Sequence, residues 1–145
     1  MIEVAHDGAI HTLTMAAGEN RWNLEFVRAF DAALDTVEAA LAKADGPAAL
    51  VTTATDPKFF SNGLDLAWIS ALAESDPDGE RAAFSVEFMT LMARIITFPI
   101  PTIAAVNGHA FGAGMMCALC HDVRIMRADR GFLCANEMQI GFRIP

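Results

Sequence analysis

Residues 102–114 read Thr102-Ile103-Ala104-Ala105-Val106-Asn107-Gly108-His109-Ala110-Phe111-Gly112-Ala113-Gly114, and the fold class turns on them. The first five form a short apolar run suited to a buried strand. Asn107-Gly108 turns the chain, and Gly112-Ala113-Gly114 opens a short helix running towards His121. Upstream, Phe84, Phe88, Leu91 and Ile95 recur at helical spacing until Pro99 and Pro101 stop the pattern. Downstream, residues 123–128 read as another strand. Asp129-Arg130-Gly131 is a turn, and residues 132–134 a last short strand. Helix, strand, helix and strand in succession imply parallel pairing through crossover connections.

The earlier chain repeats that alternation. Residues 2–5 and 9–15 are β-leaning runs around His6-Asp7-Gly8, which predicts an opening hairpin. Asn23 is placed to cap a helix whose apolar stripe is Leu24, Val27, Phe30, Leu34, Val37 and Leu41, ended by Asp45-Gly46-Pro47. Residues 48–54 lack polar alternation and suit a strand covered on both faces. After Asp56-Pro57, residues 58–66 read as a loop entering a helix, and residues 74–79 as an exposed, polar break. The class is α/β.

Composition bounds what such a chain does. At 145 residues, 54% of them hydrophobic and 19% charged, it has the size of one domain, 1–145, and is neither disordered nor a coiled coil. The formal net charge of −8 opposes nucleic acid and anionic membrane surfaces as partners. Neither a basic, apolar leader nor an unbroken membrane-length apolar run is visible, and Cys117, Cys120 and Cys134 are an odd set. A cytoplasmic protein with reduced thiols is expected.

Several short motifs carry both a bland and a chemical reading. Cys117-Ala118-Leu119-Cys120-His121 fits the CxxCH haem-attachment pattern, but that attachment needs export, and the apolar surroundings favour a buried helix. A zinc site would need a second ligand pair, which Cys134 alone does not supply, so no metal is expected. The glycines at 112 and 114 allow a ligand to approach backbone N–H groups ahead of a helix, and Asn62-Gly63 offers the same. Each is equally a plain turn. His6, His11, His109 and His121 accompany no nucleophile elbow and read as solvated or capping side chains. Glu137 sits between apolar neighbours able to raise its pKa towards that of a useful base, or it is a surface glutamate.

Three stretches together resemble the enoyl-CoA hydratase/isomerase, or crotonase, family: residues 58–66 (Lys58-Phe59-Phe60-Ser61-Asn62-Gly63-Leu64-Asp65-Leu66), residues 104–114, and residues 136–145 around Glu137. The last is most similar to the 3,2-trans-enoyl-CoA isomerase variant. The resemblance implies the ClpP/crotonase fold, a spiral of β-β-α units followed by C-terminal helices, and the expectation is that this helical part is missing from the 145 residues. It implies an acyl-CoA thioester as partner, a homotrimer or dimer of trimers, and no cofactor beyond the coenzyme A of the substrate.

The same resemblance assigns roles. The backbone N–H groups of Asn62 and Ala113 would stabilise the thioester enolate. Lys58, Ser61, Asn62, Gly63, Leu64, Asp65, Leu66 and Gly112 would contact the acyl-CoA, and Glu137 would move the proton. Hydratases of the family carry a second glutamate where this chain has Met116. One base suffices to move a double bond, whereas activating a water calls for two carboxylates. The expected reaction is therefore isomerisation of 3-enoyl-CoA to 2-enoyl-CoA in fatty-acid metabolism. A hydratase, or a catalytically silent acyl-CoA binding protein, is the alternative.

Overall fold

The computed structural model describes residues 1–135, and Glu137 lies outside them. Strands β1 (Ile2–Asp7) and β2 (Ile10–Met15) form the expected antiparallel hairpin, with Ile2 opposite Met15 and Asp7 opposite Ile10. From β2 onward the sheet is parallel. β3 (Ala49–Ala54), β5 (Thr102–Val106) and β7 (Val123–Met126) follow in the order β1-β2-β3-β5-β7. β3 alternates buried Leu50, Thr52 and Ala54 with half-buried partners, so its second face is less covered than its apolar sequence suggests.

Two helices close one side of this sheet. α1 (Leu24–Leu41) begins at Asn23, whose side-chain oxygen accepts the Phe26 N–H at 2.9 Å. Its stripe of Leu24, Val27, Phe30, Leu34 and Val37 is buried, as the spacing predicts. α3 (Glu80–Ile96) lies against it through Phe88, Leu91 and Ile95. Trp22 is wholly buried between them, with ring centroids 4.9 Å from Phe26 and 5.3 Å from Phe88. Arg94 adds ion pairs to Asp31, Asp35 and Glu38 at 2.6–2.7 Å. Being partly solvated, these set the register of the two helices more than they stabilise them.

A second sheet decides where the candidate site sits. β4 (Phe59–Ser61), β6 (His109–Phe111) and β8 (Leu133–Cys134) pair in parallel in that order. Residues 58–66 and the turn after Asn107 were expected to be irregular. Strands of three residues carry no readable period, and only their pairing with one another makes them strands. α2 (Leu66–Glu74) leaves β4, capped by Asp65, which accepts the Trp68 N–H at 3.1 Å. α4 (Ala113–Leu119) leaves β6 and is packed into the core through Ala113, Cys117 and Ala118.

Of the four histidines expected to be solvated or capping side chains, His121 caps the end of α4. His121 is only 3% exposed, a buried cap and not a solvated one: Nδ1 lies 2.8 Å from the Cys117 carbonyl and Nε2 2.8 Å from Thr52 Oγ1. Burial pushes its pKa below the ordinary value, against the opposing pull of the Cys117 carbonyl and of Asp122 and with a smaller push from Arg124. The unfolded chain then binds a proton that the folded chain resists. The stability His121 contributes is complete above about pH 6.5 and declines as pH falls below that. The urea midpoint should drop between about pH 7.5 and pH 5.5, a window above the carboxylate titrations, and His121→Gln should flatten the dependence. An unchanged slope in that variant would assign the effect elsewhere.

Candidate active site

The parallel pairing of β4 with β6, Phe59 opposite His109 and Ser61 opposite Ala110, carries the chain ends leaving the two strands side by side. Approach is close enough to dictate residue type. A Cβ on Gly114 would stand 2.6 Å from the Ser61 Cβ, and one on Gly63 would stand 2.9 Å from the Phe111 carbonyl oxygen. Gly63 also adopts φ +78°, which other residues reach only with strain. The same Cβ position lies 3.9 Å from the Ala113 nitrogen. Residues 62–64 and 111–113 are therefore direct neighbours.

Hydrogen-bond accounting identifies which backbone donors are free. In the first loop the Asn62 N–H donates to the Glu19 carbonyl at 2.9 Å, Gly63 to Ser61 Oγ at 3.3 Å, and Asp65 to the Trp22 carbonyl at 2.9 Å. The Leu64 N–H has no partner among the described residues. In the second loop Gly112 donates to the Cys134 carbonyl at 2.9 Å, and its own carbonyl receives the Met116 N–H at 3.0 Å. The Ala113 N–H likewise has no partner among the described residues. Ala113 thus has the free donor expected of it and Asn62 does not, because its N–H is already held by Glu19.

The remaining expected site residues divide into exposed groups and internal props. Lys58 is exposed with Nζ 4.9 Å from the Phe59 ring centre, and Leu66 is exposed at the start of α2. Ser61 is fully buried, its hydroxyl donating to the Asn20 carbonyl at 2.7 Å. Asp65 accepts from the Asn23 side chain at 3.2 Å besides capping α2. Both hold the loop from within, so their side chains are engaged and not presented to a ligand. Gly63 and Gly112 are buried and Leu64 half-buried.

Glu19 and Arg21 are additions that the sequence did not announce. The Asn62 amide donates to the Glu19 carboxylate at 2.8 Å, and Arg21 lies 2.6 Å from the same oxygen. The Asn62 hydrogen bond and then Arg21 hold the Glu19 pKa below its ordinary value. Lys58 and Arg21 therefore both border the first loop. Met116 is half-buried against the core. Among the described residues no group of three or more His, Cys, Asp and Glu is arranged to hold a metal ion, and no helix is long and apolar enough to cross a membrane.

A mixed sheet beside a short parallel sheet, with two unpartnered backbone donors on adjoining strand-to-helix loops, makes this an α/β protein with a candidate oxyanion-binding site between those loops. The enoyl-CoA hydratase/isomerase family model matches residues 9–145. Enoyl-CoA delta isomerase 2, peroxisomal, of Arabidopsis thaliana is 39% identical over 140 residues, 95% of this chain and 57% of its own length. Enoyl-CoA delta isomerase 3 of the same plant is 43% identical over 115 residues, 77% of this chain and 46% of its own. Among solved structures, an apo enoyl-CoA isomerase of Mycobacterium tuberculosis superposes with a TM-score of 0.81 at 25% identity, covering 99% of this chain and 58% of its own. An enoyl-CoA hydratase of Geobacillus kaustophilus gives 0.81 at 27%, over 97% of this chain and 50% of its own. The chain belongs to the enoyl-CoA hydratase/isomerase family, and it spans about half the length of the relatives it matches.

Proposed function

We propose that this chain is an enoyl-CoA isomerase, which converts 3-enoyl-CoA to 2-enoyl-CoA through a thioester enolate held in a backbone oxyanion hole. The observation that carries the reading is the pair of unpartnered N–H groups, Leu64 and Ala113, on loops whose backbones nearly touch. Removing a proton α to a thioester puts negative charge on its oxygen. Fixed donors that need no reorganisation stabilise that charge, each worth about 3 kcal/mol. Leu64 takes the part that the sequence had suggested for Asn62. Asn62 instead ties the loop to Glu19 through both its N–H and its amide.

Glu137, by its resemblance to the family's catalytic glutamate, removes the α proton and returns it at the γ carbon. With Met116 in place of a second carboxylate, that position offers no group to activate water, which favours isomerisation over hydration. The reaction needs no cofactor. The isomerase names of relatives at 39% and 43% identity support the same choice. Assaying 3-enoyl-CoA conversion and 2-enoyl-CoA hydration while titrating acyl-CoA tests it. Binding without turnover would make the chain a thioester-binding protein, and hydration alone would make it a hydratase.

Two further outcomes are expected. Coenzyme A is polyanionic and Lys58 borders the first loop, so Lys58→Glu should weaken acyl-CoA binding several-fold at low salt and leave the urea midpoint unchanged. Equal affinity in titration calorimetry would remove Lys58 from the site. We also propose the homotrimer or dimer of trimers: β7 exposes Val123 and Ile125 at 48% and 62%, an apolar sheet edge that assembly would cover. Light scattering should find the protein associated, and a monodisperse monomer would contradict it.

A further inference from the structure

His121 and Thr52 form a buried polar clamp that the proposed chemistry leaves unused. A carbonyl can only accept, so the 2.8 Å contact to the Cys117 oxygen means that His121 Nδ1 carries the proton and donates it. Nε2 is then an acceptor, and the Thr52 hydroxyl, 2.8 Å away, donates to it. Thr52 is fully buried in the middle of β3, opposite Leu13 of β2 and Ala104 of β5. The imidazole therefore ties the last turn of α4 to the inner part of the large sheet.

The other end of α4 is fixed differently. Gly114 sits against Ser61 with no room for a side chain between them. Ser61 in turn holds the first loop through Asn20 and Gly63. A helix of seven residues has too few internal hydrogen bonds to hold its own course, so its direction is set by its packing through Ala113, Cys117 and Ala118 and by what grips its ends. The Ala113 N–H points along that direction. Releasing the C-terminal grip while the N-terminal one holds swings α4 about Gly114, and the first N–H swings with it.

We propose that His121, through its hydrogen bond from Thr52, is the positioning residue that aims the Ala113 N–H at the thioester oxygen. This rests on the reading of Ala113 as an oxyanion donor. Donor placement acts on the developing charge more than on ground-state affinity, so misalignment lowers kcat and spares KM. It also lowers the polarisation of a bound thioester carbonyl, which can be read without turnover.

The test uses the intact protein with a CoA thioester whose chromophore is conjugated to the carbonyl, so that hydrogen bonding to the oxygen shifts its absorption to the red. Thr52→Val removes the hydroxyl at nearly constant volume, and Thr52→Ser keeps it. Thr52→Val should lose most of the red shift and about tenfold in kcat, with KM within about twofold, while Thr52→Ser retains both. His121→Asn, which keeps a donor near Cys117 but loses the reach to Thr52, should behave as Thr52→Val does and carries the test if that variant fails to fold. A full red shift and kcat in Thr52→Val overturns the inference, as does equal loss in Thr52→Val and Thr52→Ser. An unshifted spectrum of the wild-type complex instead overturns the oxyanion-hole reading, and the inference with it.

Discussion

Replacing Glu137 by glutamine should lower 3-enoyl-CoA isomerisation by ~10²-fold or more while leaving acyl-CoA affinity within about twofold. Glutamine keeps the size and much of the hydrogen bonding of the carboxylate but cannot accept a proton. The loss therefore falls on the transition state and not on binding, and it appears in kcat with KM preserved. The chain has Met116 where the family's hydratases carry a second glutamate, so that position supplies no substitute base. The same single shuttle predicts that part of a deuterium label at the α carbon reappears at the γ carbon, since the proton removed is the one returned. Near wild-type turnover in Glu137→Gln would mean that another group is the base, and complete loss of label would mean that solvent exchange outruns return.

Ala113→Pro should lower kcat by ~10²–10³-fold, the usual effect of deleting one oxyanion donor. The substitution removes the N–H itself, and Ala113 is the first residue of α4, after the N-cap Gly112. Proline is accepted at that position, where its fixed φ suits the helix and the missing N–H has no intrahelical partner. Because Ala113 is buried in the core, the urea midpoint of the variant is measured alongside, and the loss of kcat is read as loss of the donor where the protein remains folded. Ala113→Gly keeps the N–H and should keep turnover within a few-fold. If Ala113→Pro retains activity, Ala113 is no donor, and the case for an enolate stabilised between the two loops falls with it.

Much of this was legible in the chain itself. Helices α1 and α3 follow from apolar residues at helical spacing ending at Gly46-Pro47 and Pro99, and β3 and β5 follow from apolar runs between turns, because these signals are local and periodic. Residues 58–66 and 104–114 were recognisable singly as glycine turns ahead of helices, and together only through their resemblance to the family. Their contact was not, because β4 and β6 have three residues each and exist only by pairing across some fifty positions. For the same reason the sequence led to Asn62 as a donor. Which N–H in a loop is free depends on whether a distant carbonyl has taken it, and the carbonyl that takes the Asn62 N–H belongs to Glu19, far back in the chain. Leu64, which the resemblance placed only among the acyl-CoA contacts, acquires its candidate role as a donor through that accounting.

The burial of His121 divides along the same line. With the other histidines it was read as a solvated or capping side chain, and a cap it is. That the ring is buried, and that its second nitrogen meets Thr52, depends on α4 folding back onto β3, a contact between residues sixty-nine apart. The sequence by itself determined the α/β class and the long elements, since spacing is local, while the residues proposed to surround a thioester enolate came from its resemblance to the family. Tertiary structure alone decided which backbone donors stay free and which polar groups are buried, since both depend on partners that only folding brings within hydrogen-bond reach.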